Sequence, residues 1–135
     1  MTINEYQKLA LRTESPKGFH EGAGAVLRAF AMLGVVSNPE EDMSLVRLLE
    51  GLMGIAGEGG EASDILKKVL FQGHTLDREH IAKELGDVSW YVALAADAIG
   101  YDLETIFQMN IDKLRARYPN GFETDRSVHR KEGDI

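Results

Sequence analysis

Two stretches of the chain carry apolar or small residues at alternating spacings of three and four, and this pattern constrains the fold most strongly. In the first stretch the pattern runs through positions 45, 48, 52, 55, 59, 62, 66 and 69. In the second it runs through Ile81, Leu85, Val88, Val92, Ala95 and Ile99. Because this spacing places the residues along one side of an α-helix, the sequence predicts two long helices, each with a buried side.

A short segment at residues 71–77, FQGHTLD, separates the two predicted helices. Gly73 is a typical residue at a helix C-terminus, and Asp77 is a typical N-cap. These signals predict a hairpin of two helices packed in antiparallel. A third helix is expected to begin after Asp102 and to end before Pro119. The predicted fold class is therefore all-α, a helical bundle of four or five helices built on this hairpin.

Length and composition are those of one compact domain. The chain has 135 residues, of which 44% are apolar, and this is enough for a single core. We assign residues 1–122 to that domain and residues 123–135 to a charged C-terminal tail. Between Glu14 and Asn38 lies a glycine-containing stretch, in which residues 25–36 are predicted to form a further amphipathic helix.

Composition also excludes several classes of function. The chain has no cysteine, no apolar run long enough to cross a membrane and no signal sequence at its start, so a cytoplasmic location is expected. The net charge of −7 argues against a general nucleic-acid surface, which is normally basic. Long helices with much apolar surface favour self-association, and we expect a homodimer or homotetramer.

The most informative polar feature is two pairs of carboxylates, Glu58 with Glu61 and Glu84 with Asp87. Residues three apart are neighbours on a helix surface, so each pair presents two carboxylates to one side. Each carboxylate also immediately precedes a residue of the apolar pattern, which places it beside the core. Both pairs lie about ten residues from the intervening turn, or about 15 Å along a helix. Antiparallel packing would therefore bring all four carboxylates to the same height along the axes of the two helices.

Four carboxylates at one level predict a divalent-metal site. An isolated Glu-x-x-Glu pair is usually a solvated helix face, but four acidic groups near a core repel one another unless a cation compensates them. Oxygen ligands favour Mg²⁺, with Mn²⁺ also possible. The alternative di-iron site would need Glu-x-x-His on two helices, and Asp77-x-x-His80 is the nearest approach to it.

Two further groups of residues flank this predicted site. Asn110, Lys113 and Arg117 share one side of the third helix and could hold phosphate oxygens, although cations near a helix C-terminus are also favoured by its dipole. Gly51 and Gly54 would clear space just before the acidic pair, either for a partner helix or for a bound ligand.

In order, these motifs are Glu-x-x-Glu, Glu-x-x-Asp followed by Trp-Tyr, Asn-x-x-Lys-Leu, and Arg-Tyr-Pro-x-Gly-Phe. They resemble the MazG-like members of the all-α nucleoside triphosphate pyrophosphohydrolase superfamily, over roughly Leu48 to Phe122. The resemblance implies that the four acidic residues bind Mg²⁺ and that Asn110 and Lys113 contact nucleotide phosphates. It also implies an active cleft built partly at a subunit interface.

The N-terminal segment is similar to the first helix of the phage-like MazG group. There Tyr6 and Gln7 could approach the base of a nucleotide, or they could be a packing tyrosine and an exposed glutamine. Trp90 and Tyr91 could likewise stack on a base or belong to the core.

The resemblance predicts a Mg²⁺-dependent enzyme that hydrolyses a nucleoside triphosphate between its α and β phosphates, and a role in housekeeping of nucleotide pools is expected. Glu58 or Glu61 would accept the proton of the attacking water, and Lys113 and Arg117 would stabilise the departing pyrophosphate. The alternatives are a phosphoribosyl-ATP pyrophosphohydrolase, an enzyme of dUTPase or dCTPase type, and a non-enzymatic helical interaction protein whose carboxylates hold a cation.

Overall fold

The structure is a computed structural model and describes residues 1–14, 21–35 and 43–129. The regular structure in these ranges is helical apart from an isolated bridge between Pro119 and Gly121. The predicted all-α class is confirmed. The helices are α1 (Ile3–Leu11), α2 (Glu21–Met32), α3 (Ser44–Gln72), α4 (Arg78–Ala98), α5 (Leu103–Arg117) and α6 (Thr124–Val128).

The predicted turn signals between α3 and α4 are confirmed. Gly73 ends α3 with a left-handed backbone, at a φ of 74°. Asp77 caps α4, because its carboxylate accepts a hydrogen bond from the backbone N–H of His80 at 2.9 Å. Asp102 caps α5 in the same way through the N–H of Thr105, at 2.7 Å.

Helices α3 and α4 form the main packing contact of the molecule, and glycines make it close. Gly51 lies against Ala95, and Gly54 lies against Tyr91, where an added Cβ would be 2.2 Å from a ring carbon. Contacts further along α3 meet earlier residues of α4, so the two helices run in opposite directions. Of the two uses considered for these glycines, close helix packing is the one found at Gly51 and Gly54.

Helix α1 packs across α4 and the start of α5. Its contacts belong to a small core of Ala93, Ala96 and Leu103, against which Tyr6 and Ala10 pack. The side chains in this core are mostly small, which lets the helices approach closely.

The interpretation of Gln7 as an exposed glutamine is wrong, because this residue is only 6% exposed. Its Oε1 accepts a hydrogen bond from the N–H of Leu103 at 2.9 Å. Its Nε2 donates to the carbonyl oxygens of Tyr101, at 3.2 Å, and Ala93, at 3.4 Å. A buried amide needs such partners, and here they join α1 to the connection between α4 and α5.

An ion network holds the segment after α1. The guanidinium of Arg47, on α3, donates to Oε2 of Glu14 at 2.8 Å and to Oδ2 of Asp97, on α4, at 2.7 Å. Residues from three separate parts of the chain are thereby joined at one end of the bundle.

The structure differs from the sequence predictions at three places. The helix predicted at residues 25–36 is α2, which begins earlier and ends at Met32, two residues before the left-handed Gly34. The start of the predicted tail forms the short α6. The rest of that tail, residues 130–135, lies outside the described ranges, as do residues 15–20 and 36–42.

The third difference concerns the apolar pattern. Leu52 and Leu66 on α3, and Leu85 and Ile99 on α4, are each about half exposed, at 54%, 47%, 55% and 51%. Within the described ranges, the helices packed on the α3–α4 pair cover only part of its apolar surface.

Candidate metal centre

Three of the four predicted carboxylates come together where α3 and α4 pack. Glu58, Glu84 and Asp87 each offer a carboxylate oxygen, and these oxygens lie within 4.8 Å of one another. Glu84 is buried, Glu58 is partly buried and Asp87 is exposed. We call these residues the three-carboxylate group.

The crowding of negative charge is visible in Glu58. Its pKa is raised above the ordinary value, first by burial and then by the charges of Glu61, Asp87 and Glu84, with a hydrogen bond to Glu84 adding to the effect. A raised pKa means that the ionised form is disfavoured, and a nearby cation would reverse this.

Glu61 lies outside the three-carboxylate group and is exposed. Three residues along an α-helix fall about 60° short of a full turn, so Glu61 points to one side of Glu58. Its charge is still close enough to raise the pKa of Glu58.

One pocket beside the group contains aromatic side chains, and we call it the aromatic pocket. It has a volume of about 290 Å³ and is lined by Thr13, Glu58, Asp87, Trp90 and Tyr91. The two rings meet edge to face, with centroids 4.9 Å apart.

Helix α1 holds Trp90 in place on this wall. The indole N–H of Trp90 lies 2.9 Å from the carbonyl oxygen of Ala10 and 2.8 Å from Oγ1 of Thr13, and it donates to both. The C-terminal end of α1 is therefore part of the structure of the pocket.

The second pocket, of about 360 Å³, contains residues of both charges, and we call it the charged pocket. In this pocket the ammonium of Lys68 lies 2.6 Å from Asp64, and the imidazole Nε2 of His80 lies 2.9 Å from Oε1 of Glu84. The lining residues are Gly57, Gly60, Glu61, Asp64, Ile65, Lys68, His80 and Glu84.

The three-carboxylate group fits a hard divalent cation. All its donors are carboxylate oxygens, and Mg²⁺ is typically held by one or two carboxylates together with water and substrate phosphates. The partly buried position of Glu58 and the buried position of Glu84 increase the need for a compensating charge.

The predicted phosphate-binding residues of α5 are not brought to this group within one chain. Asn110 and Lys113 are exposed, Arg117 is partly buried, and none of them lines the aromatic or the charged pocket. The guanidinium of Arg117 lies 5.9 Å from the centre of the Tyr118 ring.

Sequence reasoning named His80 only in the di-iron alternative and placed neither His80 nor Thr13 at these pockets. His80 lies four positions before Glu84, so helix spacing could have found it. Thr13 lies 77 positions from Trp90, and no local pattern indicates that contact.

Among the residues that the structure describes, no helix combines the length and the apolar character needed to span a membrane. Fold and site together define an all-α protein with a carboxylate centre suited to a divalent cation.

Comparison with protein families matches residues 48–122 to the MazG nucleotide pyrophosphohydrolase domain, more than half of the chain. The chain is also similar to the Gene 37 protein of Mycobacterium phage L5, with 37% identity over 94 residues, which cover 64% of this chain and 77% of the phage protein. No solved structure gives a significant match. The chain belongs to the MazG nucleotide pyrophosphohydrolase family, and the predicted resemblance is confirmed.

Proposed function

We propose that the chain hydrolyses a nucleoside triphosphate between its α and β phosphates, with Mg²⁺ or Mn²⁺ as cofactor, to give a nucleoside monophosphate and pyrophosphate. The observation that carries this proposal is the three-carboxylate group in a member of the MazG family. Glu58 and Asp87 face the aromatic pocket, and Glu84 faces the charged pocket. A ligand at this group would therefore have a different environment on each side.

Glu58, Glu84 and Asp87 would hold the cation through their oxygens. When bound, the cation supplies neutralising charge for phosphate oxygens and activation of water. Glu61 is the better candidate for accepting the water's proton, because it lies next to the group without belonging to it. Its oxygens then stay available while the other three carboxylates bind the cation.

The aromatic pocket is the proposed place for the nucleoside. Trp90 and Tyr91 supply ring surface beside Glu58 and Asp87, and aromatic faces bind bases with little dependence on sequence or substituent. Because the N–H of Trp90 is already bonded to α1, the ring is held before a substrate arrives. This reduces the conformational entropy lost on binding.

Asn110, Lys113 and Arg117 would bind the phosphates from a second copy of the chain, in a homodimer or homotetramer. Two observations support this assignment. The three residues lie away from the carboxylate pockets of their own chain. Apolar side chains are exposed near them on α5, including Phe107 at 43% and Met109 at 57%, and a partner subunit would cover them.

A product assay tests the proposal. Purified protein with Mg²⁺ or Mn²⁺ is given canonical and modified triphosphates, dUTP, dCTP and phosphoribosyl-ATP, and both products are quantified. Glu84→Gln is expected to be inactive. Glu79→Gln, on the same helix with an 81% exposed side chain, is the control and is expected to keep wild-type activity. Release of a monophosphate and pyrophosphate supports the proposal, whereas metal binding without turnover of any substrate would leave a non-enzymatic cation-binding protein.

A further inference from the structure

We infer that His80 restrains Glu84 so that this carboxylate offers one oxygen to a cation, and that the contact makes the centre select Mg²⁺ over Ca²⁺. His80 would act on the divalent-cation site proposed above, on which this inference rests.

The two residues lie one helical turn apart on α4, with Nε2 of His80 2.9 Å from Oε1 of Glu84. Their environments differ greatly. The side chain of Glu84 is 10% exposed, whereas that of His80 is 53% exposed. The imidazole therefore contacts the buried carboxylate from the solvent side of the charged pocket.

The start of α4 fixes the position of His80. Its backbone N–H donates to the capping carboxylate of Asp77 at 2.9 Å, so the first turn of the helix is well formed. Since a neutral imidazole with its proton on Nε2 can donate to Oε1, the contact does not require a charged histidine.

The contact restricts how Glu84 can bind a cation. With Oε1 engaged by the imidazole, the carboxylate plane is held and symmetrical binding through both oxygens is disfavoured. Ca²⁺ takes six to eight oxygens in flexible geometry and often uses both oxygens of a carboxylate, whereas Mg²⁺ takes six in a strict octahedron with shorter bonds. A carboxylate limited to one oxygen favours the smaller ion.

Hydrogen-bond partners of metal ligands commonly affect metal affinity by about 10–100-fold. His80 has the position of such a partner, since it contacts Glu84 and does not belong to the three-carboxylate group. It is therefore a positioning residue.

The chain offers a matched control. On α6, Nδ1 of His129 lies 2.8 Å from Oδ1 of Asp125, also four residues apart, and both side chains are largely exposed. This pair lies outside the residues that line the aromatic and charged pockets.

Isothermal titration with Mg²⁺ and with Ca²⁺ tests the inference on the full chain, using wild type, His80→Ala, His80→Gln and His129→Ala. We expect His80→Ala to weaken Mg²⁺ binding by about tenfold or more while Ca²⁺ binding changes less. The Kd for Ca²⁺ divided by the Kd for Mg²⁺ should therefore fall at least about threefold. His80→Gln should restore most of the ratio, because its amide nitrogen can still donate to Glu84. His129→Ala should match wild type.

Equal weakening of both ions in His80→Ala would show a general structural role and overturn the inference, as would unchanged affinities. If His80→Ala does not fold, His80→Leu takes its place: a Ca²⁺-to-Mg²⁺ Kd ratio at least about threefold lower in His80→Leu than in His80→Gln supports the inference, and equal ratios in the two variants overturn it. Tight Zn²⁺ binding that is lost in both His80 variants would make the imidazole a direct ligand and would also overturn it. If the wild type binds no divalent cation, the proposed function itself fails, which is a separate result.

Discussion

The backbone N–H of Leu103 donates to Oε1 of Gln7 at 2.9 Å, although the two residues are 96 positions apart in the chain. This hydrogen bond fixes α1 against the N-terminus of α5. The same helix carries Ala10, whose carbonyl oxygen receives the indole N–H of Trp90. The buried amide of Gln7 thus connects the packing of the bundle to the wall of the aromatic pocket.

Gln7→Glu should lower the free energy of unfolding by about 1–3 kcal/mol, since it replaces a buried donor with an oxygen that faces two carbonyl oxygens. The loss should be smaller in acid, where a protonated glutamate can again donate. Urea denaturation at two pH values measures both effects. Gln108→Glu, on the exposed side of α5, is the control: it loses a solvent-exposed hydrogen bond to Asp112 and should change stability by less than about 0.5 kcal/mol. Equal losses in the two variants would contradict the role of the buried amide.

Gly54→Ala should destabilise the protein and displace Tyr91, because the new Cβ would meet ring carbons at 2.2–2.3 Å. Gly59→Ala is the matched change on the same helix, where an added Cβ meets nothing within 4 Å. There we expect a gain of up to about 1 kcal/mol from helix propensity. Thermal unfolding of both variants shows whether their effects have opposite signs, and a gain in Gly54→Ala would contradict the close packing of α3 on α4.

The cap of α5 should give a pH-dependent contribution to stability. The N–H of Thr105 lowers the pKa of Asp102 below its ordinary value of 3.8, so the contribution is fully present above that value and is lost as pH falls through the lowered pKa. The difference in Tm between wild type and Asp102→Ala should therefore be largest near neutral pH and shrink in acid. Asp102→Asn keeps a capping oxygen at every pH, and its Tm difference from Asp102→Ala should persist in acid. Circular dichroism melts across the acid range measure these differences.

The carboxylates should separate into two classes. Glu58→Gln, Glu84→Gln and Asp87→Asn should each reduce the rise in Tm caused by millimolar Mg²⁺, because each removes a ligand from the three-carboxylate group. Glu61→Gln should keep most of that rise and lose at least about tenfold in kcat, as expected for a proton acceptor. If all four variants respond to Mg²⁺ alike, Glu61 belongs with the other three.

Lys113→Ala should keep the Mg²⁺-dependent rise in Tm and lose the additional rise given by a non-hydrolysable nucleotide. Arg117→Ala should show the same pattern more mildly. Wild-type nucleotide affinity in the Lys113 variant, measured by calorimetry with Mg²⁺ present, would remove α5 from the phosphate site.

A mixing experiment shows which chain supplies Lys113. When inactive Glu84→Gln and Lys113→Ala chains are unfolded together and refolded as random dimers, half of the dimers are mixed, and each mixed dimer has one intact site if Lys113 acts across the interface. Activity should then recover to about a quarter of wild type. No recovery would place Lys113 and the carboxylates of one functional site on the same chain.

Local signals in the sequence were sufficient for several parts of this structure. The caps at Asp77 and Asp102 and the stop at Gly73 depend only on adjacent backbone groups, so residue type predicts them well. The pairing of Glu58 with Glu84 and Asp87 followed from helix spacing and the length of one turn.

Other features depend on contacts between distant residues and could not be predicted. The burial of Gln7 requires the carbonyl groups of Ala93 and Tyr101 to converge on it, which no local pattern encodes. The exposure of Leu52 and Leu66 shows the same limit, because periodicity identifies an apolar side of a helix without showing what covers it.

Trp90 is the single tryptophan of the chain. Its indole lies on the wall shared with Glu58 and Asp87, and its N–H is bonded to the end of α1. Intrinsic fluorescence excited at the indole band therefore reports on one location in the whole protein. A stacked base should quench that emission, whereas separation of α1 should shift it to longer wavelength, so ligand entry and helix release can be followed separately in real time without an added label.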